Sequence, residues 1–109
     1  MKKTVATAVA LMFGAVMIAS AAEAKDNWNK QCAKCHGPDG KGQTKMGQKL
    51  SIKNLTDPKV QSELKDDVAF KSVKEGLKDK DGKILMKPAE GVSDDEIKAL
   101  IAYVRTLKP

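Results

Sequence analysis

The sequence predicts a small all-α domain. Hydrophobic residues recur at helical spacing in the C-terminal half, and helix start and stop signals bracket those stretches. No run of residues shows the strict alternation of a half-buried strand. Residues 1–24 stand apart from that domain. Lys2 and Lys3 precede an uncharged stretch from Thr4 to Ala22, and Ala22-Glu23-Ala24 fits the small-residue rule for export-signal cleavage. The expected mature chain therefore starts at Lys25. A retained membrane anchor is the alternative, since the apolar stretch is nearly long enough to span a bilayer. Gly14 and the run Ala19-Ser20-Ala21-Ala22 favour removal.

Residues 25–109 suffice for one domain and not for two. A chain this short buries only about 60–65% of its unfolded surface and needs reinforcement beyond its own core. Aromatic residues in the mature part are Trp28, Phe70 and Tyr103. Asp26 is placed to cap a short first helix running to about Ala33, with Trp28 inside it. Gly37-Pro38-Asp39-Gly40 and Gly42 form a loop that cannot continue it. Lys49 to Leu55 reads as irregular, with Leu50, Ile52 and Leu55 available to line an apolar pocket. Thr56-Asp57-Pro58 opens a short helix, with Pro58 at its first position. A longer helix runs from Asp66 to about Glu75, where Gly76 stops it. Lys78 to Lys83 is a charged turn, and Ile84 to Glu90 an extended loop containing Pro88.

The last helix has the fullest set of signals. Ser93 and Glu96 form a capping box, and Ile97, Leu100, Ile101, Val104 and Leu107 follow the helical period. Acids fill its first turn and Arg105 its last, in accord with the helix dipole.

Cys32-Ala33-Lys34-Cys35-His36 contains both cysteines and the only histidine of the chain. C-x-x-C-H is the covalent haem-attachment pattern. Two thiols three residues apart can each form a thioether to a haem vinyl group, with the adjacent imidazole of His36 as proximal ligand. A bonded haem would also supply much of the missing apolar core, so the haem-free chain is expected to be largely unfolded. Export is compatible with this chemistry, because bacterial haem attachment follows translocation, and it makes the periplasm the expected location.

One histidine excludes bis-histidine coordination in a monomer. Methionine, lysine, water or an open position remain for the sixth site. Met46 lies ten residues beyond His36, just after the glycine-rich loop. Met86 lies fifty residues on, in a Pro-containing loop between two helices that can cross the opposite haem face. Methionine is also an ordinary core filler. With C-x-x-C-H present, Met86 is the expected distal ligand, and a thioether opposite histidine raises the reduction potential.

These features together resemble a short bacterial class I c-type cytochrome. The likeness rests on Trp28 four residues before Cys32, the Cys32–Gly37 segment, Met86-Lys87-Pro88-Ala89, and the helix from Val92 to Val104. The resemblance implies a cytochrome c-like fold, with three main helices and a short one around one covalent haem c. It implies that the first and last helices cross beside the haem, pairing Trp28 with Tyr103. It also implies that Cys32 and Cys35 are the thioethers, His36 the proximal and Met86 the distal axial ligand. A backbone carbonyl near Pro38 would orient the His36 ring. Two positions depart from the family. Lys87 intervenes between Met86 and Pro88, and Ala24 stands where a glycine is common. A shorter first helix and a looser crossing are therefore expected.

Other uses of the pentapeptide fit less well. Structural zinc needs four ligands, and two cysteines with one histidine supply three. A thiol–disulfide oxidoreductase would carry C-x-x-C after a strand, and leaves His36 without a role. Gas binding or peroxidatic catalysis needs an open sixth site and a distal acid–base group, for which the sequence offers no second histidine. A non-enzymatic one-electron carrier with an exposed haem edge is the expected function.

Removing residues 1–24 leaves 18 basic and 13 acidic side chains, a net charge of +5, and Arg105 as the one arginine. Lysine is a mobile, hydrated charge suited to steering encounters. Lys34, Lys45, Lys49, Lys83 and Lys87 are the expected rim of the haem edge, facing an acidic docking surface on redox partner proteins. Lone arginine and few aromatics disfavour nucleic-acid binding. A monomer without stable membrane insertion is expected.

Overall fold

The computed structural model describes residues 21–109. Most of the expected export signal, residues 1–20, lies outside the described residues. Helix α1 is continuous over residues 21–36. It consists of an α-helical part, a π-helical turn over Trp28–Cys32 and an α-helical turn over Ala33–His36. Single π turns inside α-helices are frequent at functional sites, and this one ends on the first cysteine. Four further helices follow: α2 (Lys45–Lys49), α3 (Pro58–Glu63), α4 (Asp66–Glu75) and α5 (Asp94–Arg105). Between α4 and α5 a minimal antiparallel ladder joins β1 (Leu77–Lys78) to β2 (Ile84–Met86), with Leu77 opposite Met86.

The buried core lies where α1 meets α5. Ala24 and Trp28 from α1 and Ile97, Leu100 and Ile101 from α5 are buried. The three aliphatic residues contribute roughly 1.5–3 kcal/mol each by burial. Trp28 and Tyr103 lie with ring centroids 5.7 Å apart, tilted by 48°. Trp28 is one helical turn beyond Ala24, so one stripe of α1 carries both contacts.

The first helix differs from the sequence expectation. It is helical from residue 21, and Asp26 lies inside it, paired with Lys30 at 3.0 Å, instead of capping it. The crossing is close, because Ala24 retains only 2% of its exposure. Ala24 and Asn27 line one cleft with Glu96 and Ala99 of α5. Alanine is small enough here to do what glycine does elsewhere.

Capping explains most other boundaries. Asp57 accepts from the Lys59 amide with Pro58 behind it, and Ser93 and Glu96 complete the reciprocal capping box. The expected charged turn closes a hairpin instead of a plain loop. Asp79 Oδ1 accepts from the amides of Asp81 and Lys83, both at 2.9 Å, bending the chain back on itself. Helix α2 falls just before the irregular stretch expected from Lys49, where no element was expected; Thr44 caps it by accepting from the Gly47 amide.

Arg105 joins the last helix to the middle of the chain. Its guanidinium donates to the carbonyls of Gln61 and Leu64, both at 2.6 Å, and to Asp66 Oδ1 at 2.7 Å. One planar fork thereby satisfies the end of α3 and the start of α4, a task that lysine's point charge cannot match. Among the described residues no helix is long and apolar enough to cross a membrane.

Candidate haem site

The C-x-x-C-H segment ends α1. Cys32 closes the π turn, and Cys35 and His36 lie in the last α turn, so spacing of three puts both thiols on one helical face. Both are free and half-buried. Burial, and secondarily the neighbouring Cys35, push the Cys32 thiol up to about 11. The His36 ring lies 5.5 Å from that of Trp28. Burial lowers its pKa, so it is neutral at pH 7 and retains the lone pair that a metal ligand requires.

Tight backbone packing holds this segment. The Gly42 amide donates to the His36 carbonyl at 2.7 Å, and Thr44 Oγ1 donates to the Cys35 carbonyl at 2.5 Å. A Cβ on Gly47 would come within 2.7 Å of the Cys35 carbonyl oxygen, so only glycine lets α2 approach. Sequence reasoning missed Thr44 and Gly47. A capping threonine three residues before a glycine was the available signal.

The expected carbonyl near Pro38 does not accept from the His36 ring. Trp28 Nε1 donates to the Gly37 carbonyl at 3.0 Å, and His36 Nδ1 is buried without a hydrogen-bond partner. A buried polar atom left unpartnered is uncommon in native folds.

Of the two methionines beyond residue 24, Met46 sits on α2 and is 39% exposed, whereas Met86 ends β2 and is half-buried. The segment after Met86 is tied on both sides. The Ala89 amide donates to the Val73 carbonyl on α4 at 2.9 Å. The Gln31 side chain, next to Cys32, both donates to and accepts from the Glu90 backbone at 2.8 Å. Gly76 allows close passage, since a Cβ there would lie 2.7 Å from the Met86 carbonyl oxygen. Leu77, Ile84 and Leu85 on the hairpin are large apolar side chains left exposed. Lys34, Lys45, Lys49, Lys83 and Lys87 are all exposed.

The donor set fits haem. Two thiols share one helical face, a neutral imidazole adjoins them, and the hairpin carrying a thioether displays apolar surface that a porphyrin could cover. Four-coordinate zinc fits less well, because no group of three or more Cys, His, Asp or Glu side chains converges among the described residues.

Known proteins agree with that chemistry. The cytochrome c family model matches residues 21–108. Cytochrome c-554(547) of Halothiobacillus neapolitanus is 35% identical over 94 residues, covering 81% of this chain and 97% of its own. Among solved structures, the KustC0563 c-type cytochrome superposes with a TM-score of 0.66 at 28% identity, covering 79% of this chain and 98% of that one. A single-substitution mutant of the same protein gives 0.65. Covalent haem c and electron transport come with that family. The chain is a class I c-type cytochrome and belongs to the cytochrome c family.

Proposed function

We propose that this cytochrome is an exported monohaem carrier that passes one electron at a time between redox proteins. In this reading Cys32 and Cys35 are the thioether residues, His36 the proximal and Met86 the distal axial ligand. The observation that carries it is the convergence of two tethers. The helix holding both thiols and the sole histidine is hydrogen-bonded, through Gln31, to the strap that follows Met86. The bound haem supplies the one-electron couple. The chain's own residues hold it, through Cys32, Cys35, His36 and the strap tied to Gln31, and the sequence offers no second histidine for bond-making chemistry.

The redox-dithiol alternative is weakened by Cys32. Its thiol is pushed up, the reverse of the low value that activates a nucleophilic cysteine. A labile-ligand haem protein would need Met86 to be absent from the iron, which makes ligation the discriminating property.

Export and processing belong to the same proposal. The signal is removed on the N-terminal side of Ala24, before Glu23, where Ser20 and Ala22 supply the small residues at the required positions. Burial of Ala24 at the crossing with α5 favours this boundary over the one at Lys25 expected from the Ala22-Glu23-Ala24 pattern. The mature protein then works as a periplasmic monomer, with exposed lysines steering it toward acidic surfaces on its donor and acceptor. Potentiometric titration tests the carrier role: the account expects a reversible one-electron wave and one haem per chain. Rapid carbon monoxide binding by the untreated ferrous protein would oppose it.

A further inference from the structure

Gln31 makes a two-point contact unlike any other among the described side chains. Its Nε2 donates to the Glu90 carbonyl and its Oε1 accepts from the Glu90 amide, each at 2.8 Å, across 59 residues of sequence. A primary amide closing a ring with a backbone amide and carbonyl fixes both the distance and the rotation of that residue's backbone. Glu90 is four residues beyond Met86, and Gln31 directly precedes Cys32. Adjacent amides of the strap are therefore anchored to opposite supports: Ala89 to α4 through the Val73 carbonyl, and Glu90 to α1 through Gln31. Gln31 is itself exposed, so its side chain adds little to the core. Its geometric effect falls on the strap.

From this geometry we infer that Gln31 is a positioning residue for the sixth iron ligand, a clamp that holds the Met86 strap against the haem-attachment helix and sets how readily Met86 leaves the iron. The inference rests on Met86 being that ligand. Release of the thioether requires the strap to move away from α1. The two hydrogen bonds resist that movement only while they are formed, so their loss lowers the free energy of opening. The iron, the proximal ligand and the buried core are untouched.

The test uses the haem-loaded protein and imidazole as a competing ligand for the ferric iron. Q31A removes both bonds. Q31E keeps the shape but sets a carboxylate oxygen against the Glu90 carbonyl, so it should behave like Q31A. Both are expected to bind imidazole about tenfold more tightly than the parent, equivalent to about 1.4 kcal/mol, with the thioether-to-iron absorption band weakened and thermal unfolding nearly unchanged. Q48A, which removes an exposed amide contact from α2 to the Gln43 carbonyl just before it, is the control and should bind imidazole as the parent does. M86A separates the two levels of the argument. If M86A keeps the thioether band, the ligand assignment and the clamp both fall. If M86A loses the band while Q31A and Q31E bind imidazole with the parental affinity, Met86 stands and the clamp is refuted.

Discussion

Trp28 donates its indole N–H to the carbonyl of Gly37, nine residues on, at 3.0 Å. The bond runs from the buried helix crossing to the residue immediately after His36. One side chain thus joins the Tyr103 contact, the His36 ring and the exit from α1. Trp28→Phe keeps an aromatic ring but removes one of the two donors to the Gly37 carbonyl, leaving the Gly40 amide at 3.1 Å. The expected cost is about 0.5–1.5 kcal/mol in unfolding free energy, measured by denaturant titration of the haem-loaded protein. Unchanged stability would mean that the ring alone matters.

Acid should act through Glu96. The Ser93 backbone amide, then the Ser93 side chain, hold its carboxyl below the ordinary value. A carboxylate whose folded pKa is depressed adds stability above its unfolded pKa, and that stability fades as pH falls through the folded value. Glu96→Gln should therefore be less stable than the parent at neutral pH, and the gap should close in acid. Thermal melts at a series of pH values check this; a gap independent of pH would contradict it.

Much of the fold is legible in the sequence where local chemistry decides it. The capping box at Ser93, the Asp57-Pro58 start and the Gly76 stop all appear in the structure where their side chains require them. The misses arise where tertiary packing overrides local signals. Asp26 looks like a cap, yet the chain before it is already helical because Ala24 packs at the crossing with α5. The β1–β2 pairing depends on Asp79 gathering two amides, which its charged neighbours conceal. At the site, the cysteines and His36 are evident from their motif. Gln31 and Thr44 are not, because a glutamine or threonine declares its partner only once distant segments meet.

The N-terminus of the mature protein follows from Ala24. Intact-mass measurement of protein purified from the periplasm should give residues 23–109 plus one haem. A chain starting at Lys25, or one retaining its leader, would contradict the boundary.

Electron exchange with an acidic partner should slow as ionic strength rises, because salt screens the lysine surface. Charge reversal at Lys34 or Lys87, both exposed, should lower the rate several-fold at low salt, on the order of the steering effect of a single charge. Stopped-flow rates that ignore salt would remove lysine steering from the account.

Ligation is the centre of the account, and the ferric absorption spectrum measures it most directly. The parent protein and Met46→Ala should both show the thioether-to-iron band, while Met86→Ala should lose it and bind carbon monoxide once reduced. If the band survives in Met86→Ala, or disappears in Met46→Ala, Met86 is not the distal ligand and the closed-carrier reading fails with it.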